Sequence, residues 1–243
     1  MQHADILALA GLRIDGRRPD EMRSIRLRLG VTPMADGSVY YEQGLNKILV
    51  NAHGPQEPVR RADDQERGAI NVQIVNASFS GTDWKKRRAG GDKRSAEMET
   101  SIQHTFEGVV MLELYPRSEI VLVVHVLESD GSALCAIINA VSMALMHAGI
   151  AMKDMVVACS VGLVHEQMCQ DCTHMEQGSG GAYMPIAIKA RSEEVLLISL
   201  DARLSVANLE AAMQQAIHGC RKLRVQFEAD MKEYMAAMLQ EVA

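Results

Sequence analysis

The sequence predicts a mixed α/β (α+β) chain built as two similar lobes, and two observations carry that expectation. Hydrophobic residues recur first with period two and then with period three to four, and this strand-then-helix succession occurs twice along the chain. Ser38 to Tyr41 and Lys47 to Ala52 are β-prone runs flanking Gln43-Gly44-Leu45-Asn46, which predicts a hairpin turning at Gly44 and Asn46. From Ala69 to Phe79, Ile70, Val72 and Ile74 alternate with Asn71 and Gln73, the pattern of a strand with one wet face. The period then changes. Met98, Ile102, Phe106, Val109 or Val110, and Leu114 form one stripe of an amphipathic helix over Ser95 to Leu114, closed by Pro116.

Ile120 to Leu127 is an almost unbroken β-branched and leucine run, which suits a central strand covered on both faces. Ser132 to His147 is apolar nearly all round, so that helix belongs between layers. The second half repeats the scheme. Met155 to Val164 predicts a strand, Ala182 to Lys189 with Val195 to Leu200 a hairpin, and a long last helix opens near Ser205, a residue suited to capping. Leu209, Met213, Ile217, Cys220, Phe227, Met231, Tyr234 and Met238 lie along one side of that helix. No linker rich in Pro, Gly or Ser separates the halves, so a single domain is expected, its first lobe spanning about 12–150 and its second about 151–243.

At 243 residues, 48% of them hydrophobic, the chain can bury a sizeable core. Its most apolar stretch, Ala133 to Met146, has the length of a buried helix rather than a membrane span, and residues 1–11 lack the features of a secretory signal, so an intracellular protein is expected. Five cysteines without framework spacing fit a reducing compartment. His165, Cys169, Cys172 and His174 raise the question of zinc, but so tight a cluster leaves little loop to wrap a tetrahedron, and no second ligand pair follows. A strand-and-loop segment is the expectation there.

A net charge of −6 means that the whole molecule repels polyanions, so any contact with nucleic acid must be local. The concentrated cations are Lys85, Lys86, Arg87, Arg88, Lys93 and Arg94, interrupted by Ala89-Gly90-Gly91. Alone, such a run is more often a solvated surface than a phosphate-binding one.

Gly11-Leu12-Arg13-Ile14-Asp15-Gly16-Arg17-Arg18 with Glu21-Met22-Arg23 resembles the opening of ribonuclease PH-like proteins. Ala35-Asp36-Gly37-Ser38, Glu42-Gln43-Gly44, Asn46-Lys47, Gly54-Pro55, Tyr115-Pro116-Arg117-Ser118, Asp130-Gly131 and Ala148-Gly149-Ile150 continue the match across nearly the whole chain. The Glu-Gln-Gly variant, Ala158-Cys159-Ser160-Val161-Gly162 and Asp201-Ala202-Arg203-Leu204 are most similar to ring subunits of the eukaryotic RNA exosome. The resemblance implies the ribonuclease PH fold, a ring shared with paralogous subunits, RNA-binding cap subunits and an associated hydrolytic ribonuclease. It also implies residence in nucleus and nucleolus as well as cytoplasm, with no membrane association.

Active relatives degrade single-stranded RNA from its 3′ end, without sequence preference, by letting inorganic phosphate attack the last phosphodiester. The resemblance places Lys93 and Arg94 among residues that hold the RNA backbone, with Lys85 to Arg88 just upstream. It places the phosphate site at Ser132, Ala133 and Leu134, where active members have a small residue, Ser or Thr, and Arg. The acid or metal function falls on Asp171, Glu176 and Gln177, where active members have an Asp, then Glu-Asp five residues on. An alanine methyl and a leucine side chain bind no phosphate, and a glutamine amide has no proton to donate and ligates magnesium weakly. A degenerate site is therefore expected, with Asp171 kept for structure by backbone donors near Gly178-Ser179-Gly180-Gly181, and with no catalytic residue, metal or cofactor. The alternative is a phosphorolytic 3′-to-5′ exoribonuclease sharing its site with a paralogous partner, and only that alternative calls for Mg2+ and inorganic phosphate.

Overall fold

The computed structural model describes residues 12–58, 67–81, 84, 92–164 and 167–242. Two sheets flank one central helix. The first comprises β1 (Ile25–Leu29), β2 (Gly37–Gln43), β3 (Asn46–Gln56), β4 (Ala69–Asn76) and β5 (Glu119–Glu128) in the order β1-β2-β3-β5-β4, with only the β4–β5 pair parallel. The second comprises β6 (Val156–Val164), β7 (Gln167–Gln170), β8 (Tyr183–Lys189) and β9 (Val195–Ile198) in the order β7-β6-β8-β9, antiparallel throughout. Helix α1 (Lys93–Glu107) packs on β4, and α2 (Ala133–His147) packs on β2 and β3 from one side and β6 from the other. A single turn, α3 (His174–Gln177), follows β7, and α4 (Val206–Val242) covers β6, β7 and β8.

Burial follows the sequence pattern where that pattern is strong. Residues Cys135 to Leu145 of α2 are all buried, as an all-round apolar helix between layers requires. On α4, Cys220 and Phe227 are in the core, with Leu209, Met213, Ile217 and Met231 packed against it, while Met238 at the far end is exposed. Ser205 caps the helix: its Oγ accepts the Asn208 N–H at 3.2 Å. Phe227 meets Tyr41 edge-on at 6.1 Å between ring centres, which joins the last helix to the first sheet.

Three expectations need correction. β5 lies second from the sheet edge and buries one face, Ile120, Leu122, Val124 and Val126, while its alternate residues are half-buried. Continuous hydrophobicity does not by itself distinguish a strand covered on two sides from one covered on one. Helix α1 stops at Glu107 rather than Leu114, because both Val109 and Val110 donate to the Phe106 carbonyl and Val110 then bridges to Met152. The hairpin turn is Gly44-Leu45, with Gly44 at φ +61°, and Asn46 is already the first residue of β3, opposite Gln43. One strand was not expected at all: in β1, Ile25, Leu27 and Leu29 turn inward and Arg26 and Arg28 outward.

Candidate functional site

Three segments expected to carry chemistry are the turn after β7, the loop entering α2, and the start of α1. The first is a carboxylate turn. Asp171 takes a left-handed conformation (φ +53°) and donates its N–H to the Ser160 carbonyl at 2.8 Å, which fixes the turn against β6. Thr173 and Glu176 form a capping box around α3, Glu176 Oε2 accepting the Thr173 N–H at 2.8 Å.

Both carboxylates are occupied from inside the protein. Arg23 donates Nε to Asp171 Oδ2 at 2.9 Å, Nη2 to Oδ1 at 2.5 Å and its backbone N–H to Oδ2 at 3.0 Å, and Asp171 is only 1% exposed. Arg13 donates Nε to Glu176 Oε1 at 2.7 Å and Nη2 to Oε2, while its remaining donors reach the Gln170 and Asp171 carbonyls. Burial by itself would raise both carboxyl pKa values, but the guanidinium hydrogen bonds outweigh it and hold both groups below the ordinary carboxylate range. At neutral pH each is an anion with a fixed cation. Neither is a proton donor.

This differs from the sequence expectation for Asp171. Its partner is Arg23, 148 positions earlier in the chain, and not the backbone of the Gly178-Ser179-Gly180-Gly181 loop. Sequence pattern carries no signal for such distant pairs.

The loop entering α2 is pressed against the carboxylate turn. A Cβ on Gly131 (φ +76°) would lie 2.4–2.7 Å from backbone atoms of Cys172, Thr173 and His174, so only glycine fits there. Ser132 Oγ donates to the Cys172 carbonyl at 2.8 Å and shares a hydrogen bond with Ser160 Oγ at 2.6 Å. That hydroxyl is buried and already satisfied. Asn46 braces the same loop, accepting the Asp130 N–H at 2.6 Å and donating to the Gly131 carbonyl at 2.7 Å, and Arg23 Nη1 reaches the Asp130 carbonyl at 2.7 Å. The loop at Asp130 to Leu134 and the turn at Asp171 to Gln177 are thus in direct contact. Ala133 and Leu134 are half-buried beside it, Leu134 packed against the core, and offer no side-chain donor for an anion. What is left there is the positive end of α2, a weak attraction without a charged side chain.

The start of α1 has the opposite character. Lys93 and Arg94 are exposed, neither has an ion-pair partner among the described residues, and no acid lies in the helix's first turn. Two cations at a helix N-terminus oppose the helix dipole, which costs on the order of 0.3–1 kcal/mol each. Asn76 Nδ2 donates to Ser95 Oγ at 2.9 Å and fastens this turn to the end of β4. Lys85, Lys86, Arg87 and Arg88 lie outside the described residues.

Cys169 and Cys172 are buried with Val164, and Cys172 Sγ donates to the Cys169 carbonyl, whereas His174 is exposed and His165 lies outside the described residues.

Two family models match successive parts of the chain. One described as the 3′ exoribonuclease family, domain 1, matches residues 21–151, and its domain 2 matches residues 154–219. The chain belongs to the 3′ exoribonuclease family.

Its similarity to exosome components of this family is long. It is 37% identical over 238 residues to exosome complex component RRP41 of Mus musculus, spanning 97% of this chain and 96% of that protein. It is 39% identical to exosome complex component ski6 of Schizosaccharomyces pombe, over 90% of each chain. Exosome complex component Rrp41 of Methanopyrus kandleri is 35% identical, over 92% of this chain and 93% of its own length. Among solved structures, rice Rrp46 superposes with a TM-score of 0.82 at 20% identity, covering 90% of this chain and 100% of its own. A chain of the Archaeoglobus fulgidus exosome with RNA bound to the active site gives 0.75 at 22% identity, over 90% and 93%. These two establish the ribonuclease PH fold.

Magnesium, which only the phosphorolytic alternative calls for, does not suit the residues present. Both Asp171 oxygens face Arg23, both Glu176 oxygens face Arg13, and the third position is the Gln177 amide.

Proposed function

We propose that this chain is a ring subunit of an RNA exosome that holds and guides RNA without catalysing its cleavage. It completes a ring with paralogous ribonuclease PH-like subunits, works beneath RNA-binding cap subunits, and passes single-stranded RNA, 3′ end first, to an associated hydrolytic ribonuclease. Work of this kind, in rRNA processing and mRNA decay, belongs to the nucleus and nucleolus and to the cytoplasm.

One observation carries the absence of catalysis. The carboxylate that would relieve the leaving ribose oxygen, Asp171, is buried in a two-pronged pair with Arg23, and the group six positions on is Gln177. Ala133 and Leu134 add the lack of a phosphate donor, whereas the exposed Lys93 and Arg94 keep the means to hold a backbone. Loss of a single charge-stabilising group costs roughly a hundred-fold or more in rate, and here two functions lack theirs.

A second reading has one point in its favour: the loop at Asp130 to Leu134 and the turn at Asp171 to Gln177 still touch, through Ser132 and Cys172. On that reading the chain is a phosphorolytic exoribonuclease completed by its neighbour, with inorganic phosphate and Mg2+. The chain assembled with its ring partner and free of contaminating nucleases is incubated with RNA, with and without inorganic phosphate. No phosphate-dependent nucleoside diphosphate is expected. Its appearance at a steady rate overturns the inactive reading and leaves exosome membership untouched.

A further inference from the structure

Aromatic side chains are scarce in this protein, with three Phe, one Trp and five Tyr, and two of the nine, Phe79 and Trp84, are exposed. Phe106 and Phe227 are completely buried, whereas Phe79 is 60% exposed and Trp84, the only tryptophan, is 77% exposed. Solvent exposure of so much aromatic surface forgoes the burial that normally stabilises these residues.

Their position narrows the use. Phe79 sits in a turn fastened to β5 and to the loop beyond it: Ala77 donates to the Val126 carbonyl at 2.9 Å, and Ser129 donates to the Ser80 carbonyl at 2.8 Å. Ser129 leads directly into Asp130-Gly131-Ser132, so Phe79 stands beside the entrance to α2. From the same strand end, Asn76 holds Ser95 and with it the α1 turn bearing Lys93 and Arg94. Trp84 lies on the connection between those two anchors. Exposed Phe79 and the two cations, unpaired among the described residues, therefore lie at the Asn76–Val126 end of the parallel β4–β5 pair, with Trp84 between them in the chain.

Proteins that hold single-stranded nucleic acid without reading its sequence combine cations for the phosphates with aromatic faces for the bases, because every base has a π face. Protein–protein contacts, by contrast, are depleted in lysine at their centres. Resting on the RNA-holding role above, we infer that Phe79 and Trp84 are a stacking platform for the bases of single-stranded RNA whose phosphates are held by Lys93 and Arg94. Lys85 to Arg88 follow Trp84 directly in the sequence. Stacking of this kind accepts any base.

The assembled ring is titrated into a fluorescently labelled single-stranded RNA, and into the same backbone carrying abasic sugars, with binding followed by anisotropy. Trp84→Ala is expected to weaken binding of the normal strand about ten-fold and Phe79→Ala several-fold, with Trp84→Phe restoring most of the loss. None of the three should change affinity for the abasic strand. Unchanged affinity of both alanine variants for the normal strand overturns the inference. So does an equal loss on both strands, and so does failure of Trp84→Ala to enter the ring while its RNA affinity is unaltered, which assigns Trp84 to a neighbouring subunit. The RNA-holding role fails separately, through unaltered binding when Lys93 and Arg94 are both reversed to Glu.

Discussion

The carboxylate turn and the start of α1 are two charged regions treated in opposite ways. Asp171 and Glu176 are buried, each gripped by an arginine from the first lobe, whereas Lys93 and Arg94 are exposed and unpaired among the described residues. A buried ion pair fixes geometry and takes its members out of chemistry; an exposed cation against a helix dipole costs stability and leaves a charge free for a ligand. Charge alone therefore does not mark function. What matters is whether the charge already has a partner.

Removing one member of the buried pairs should have the largest effect. Asp171→Asn leaves the Arg23 guanidinium without its counter-charge and should lower unfolding stability by about 3–5 kcal/mol in a urea titration at pH 7. The sign with pH follows from the lowered carboxyl. The stabilisation is complete above the ordinary carboxylate range, near pH 4, and is lost as pH falls through the depressed value, so the gap between native and variant protein should close in acid and stay constant from about pH 5 to 8. In rings that do assemble, RNA decay by the associated hydrolytic ribonuclease should be nearly unchanged by this substitution. A strong decay defect in an intact ring would erase the contrast between the two regions.

Glu176→Gln loses the charge that faces Arg13 and weakens the capping box, for about 3 kcal/mol by the same measurement. Next comes the exposed region. Reversing Lys93 and Arg94 to Glu should weaken RNA binding about ten-fold while raising the unfolding midpoint slightly, because carboxylates suit the helix N-terminus, and should lower the slope of log affinity against log salt by about 0.7 for each phosphate that is no longer neutralised. A matching fall in stability would show that these cations were structural after all. Reversal at Arg87, Arg88 and Arg94 together should likewise slow decay that depends on passage through the ring. The smallest expected effect is none: Ala133→Ser with Leu134→Arg should produce no phosphate-dependent nucleoside diphosphate, because Asp171 stays paired and Gln177 stays an amide.

The sequence reveals the parts of this molecule whose cause is local. The period-two run around Ile70 to Ile74, the all-round apolar α2, and the stripe and cap of α4 each follow from residues within a turn or two of one another. β1 also carries a signal, the alternation Ile25-Arg26-Leu27-Arg28-Leu29, although the arginines disguise it as a charged surface segment. The end of α1 is harder, since Val109 and Val110 prolong the helical stripe but are buried by packing beyond it. Within the site, the missing donors at Ala133, Leu134 and Gln177 are legible as residue types. The pairing of Asp171 with Arg23 and of Glu176 with Arg13 is not, because side-chain partners brought together by folding leave no spacing in the chain.

Those pairs tie almost the first described residues to the far end of the second sheet, helped by Gln170, whose N–H reaches the Pro19 carbonyl at 2.8 Å. Arg13 meets Glu176 across 163 positions. During synthesis, Arg13 and Arg23 must therefore stay without their carboxylate partners until the ribosome has released the chain through α3, and pairings of such long reach form slowly. The clasp between the two lobes can close only after most of the second lobe has emerged.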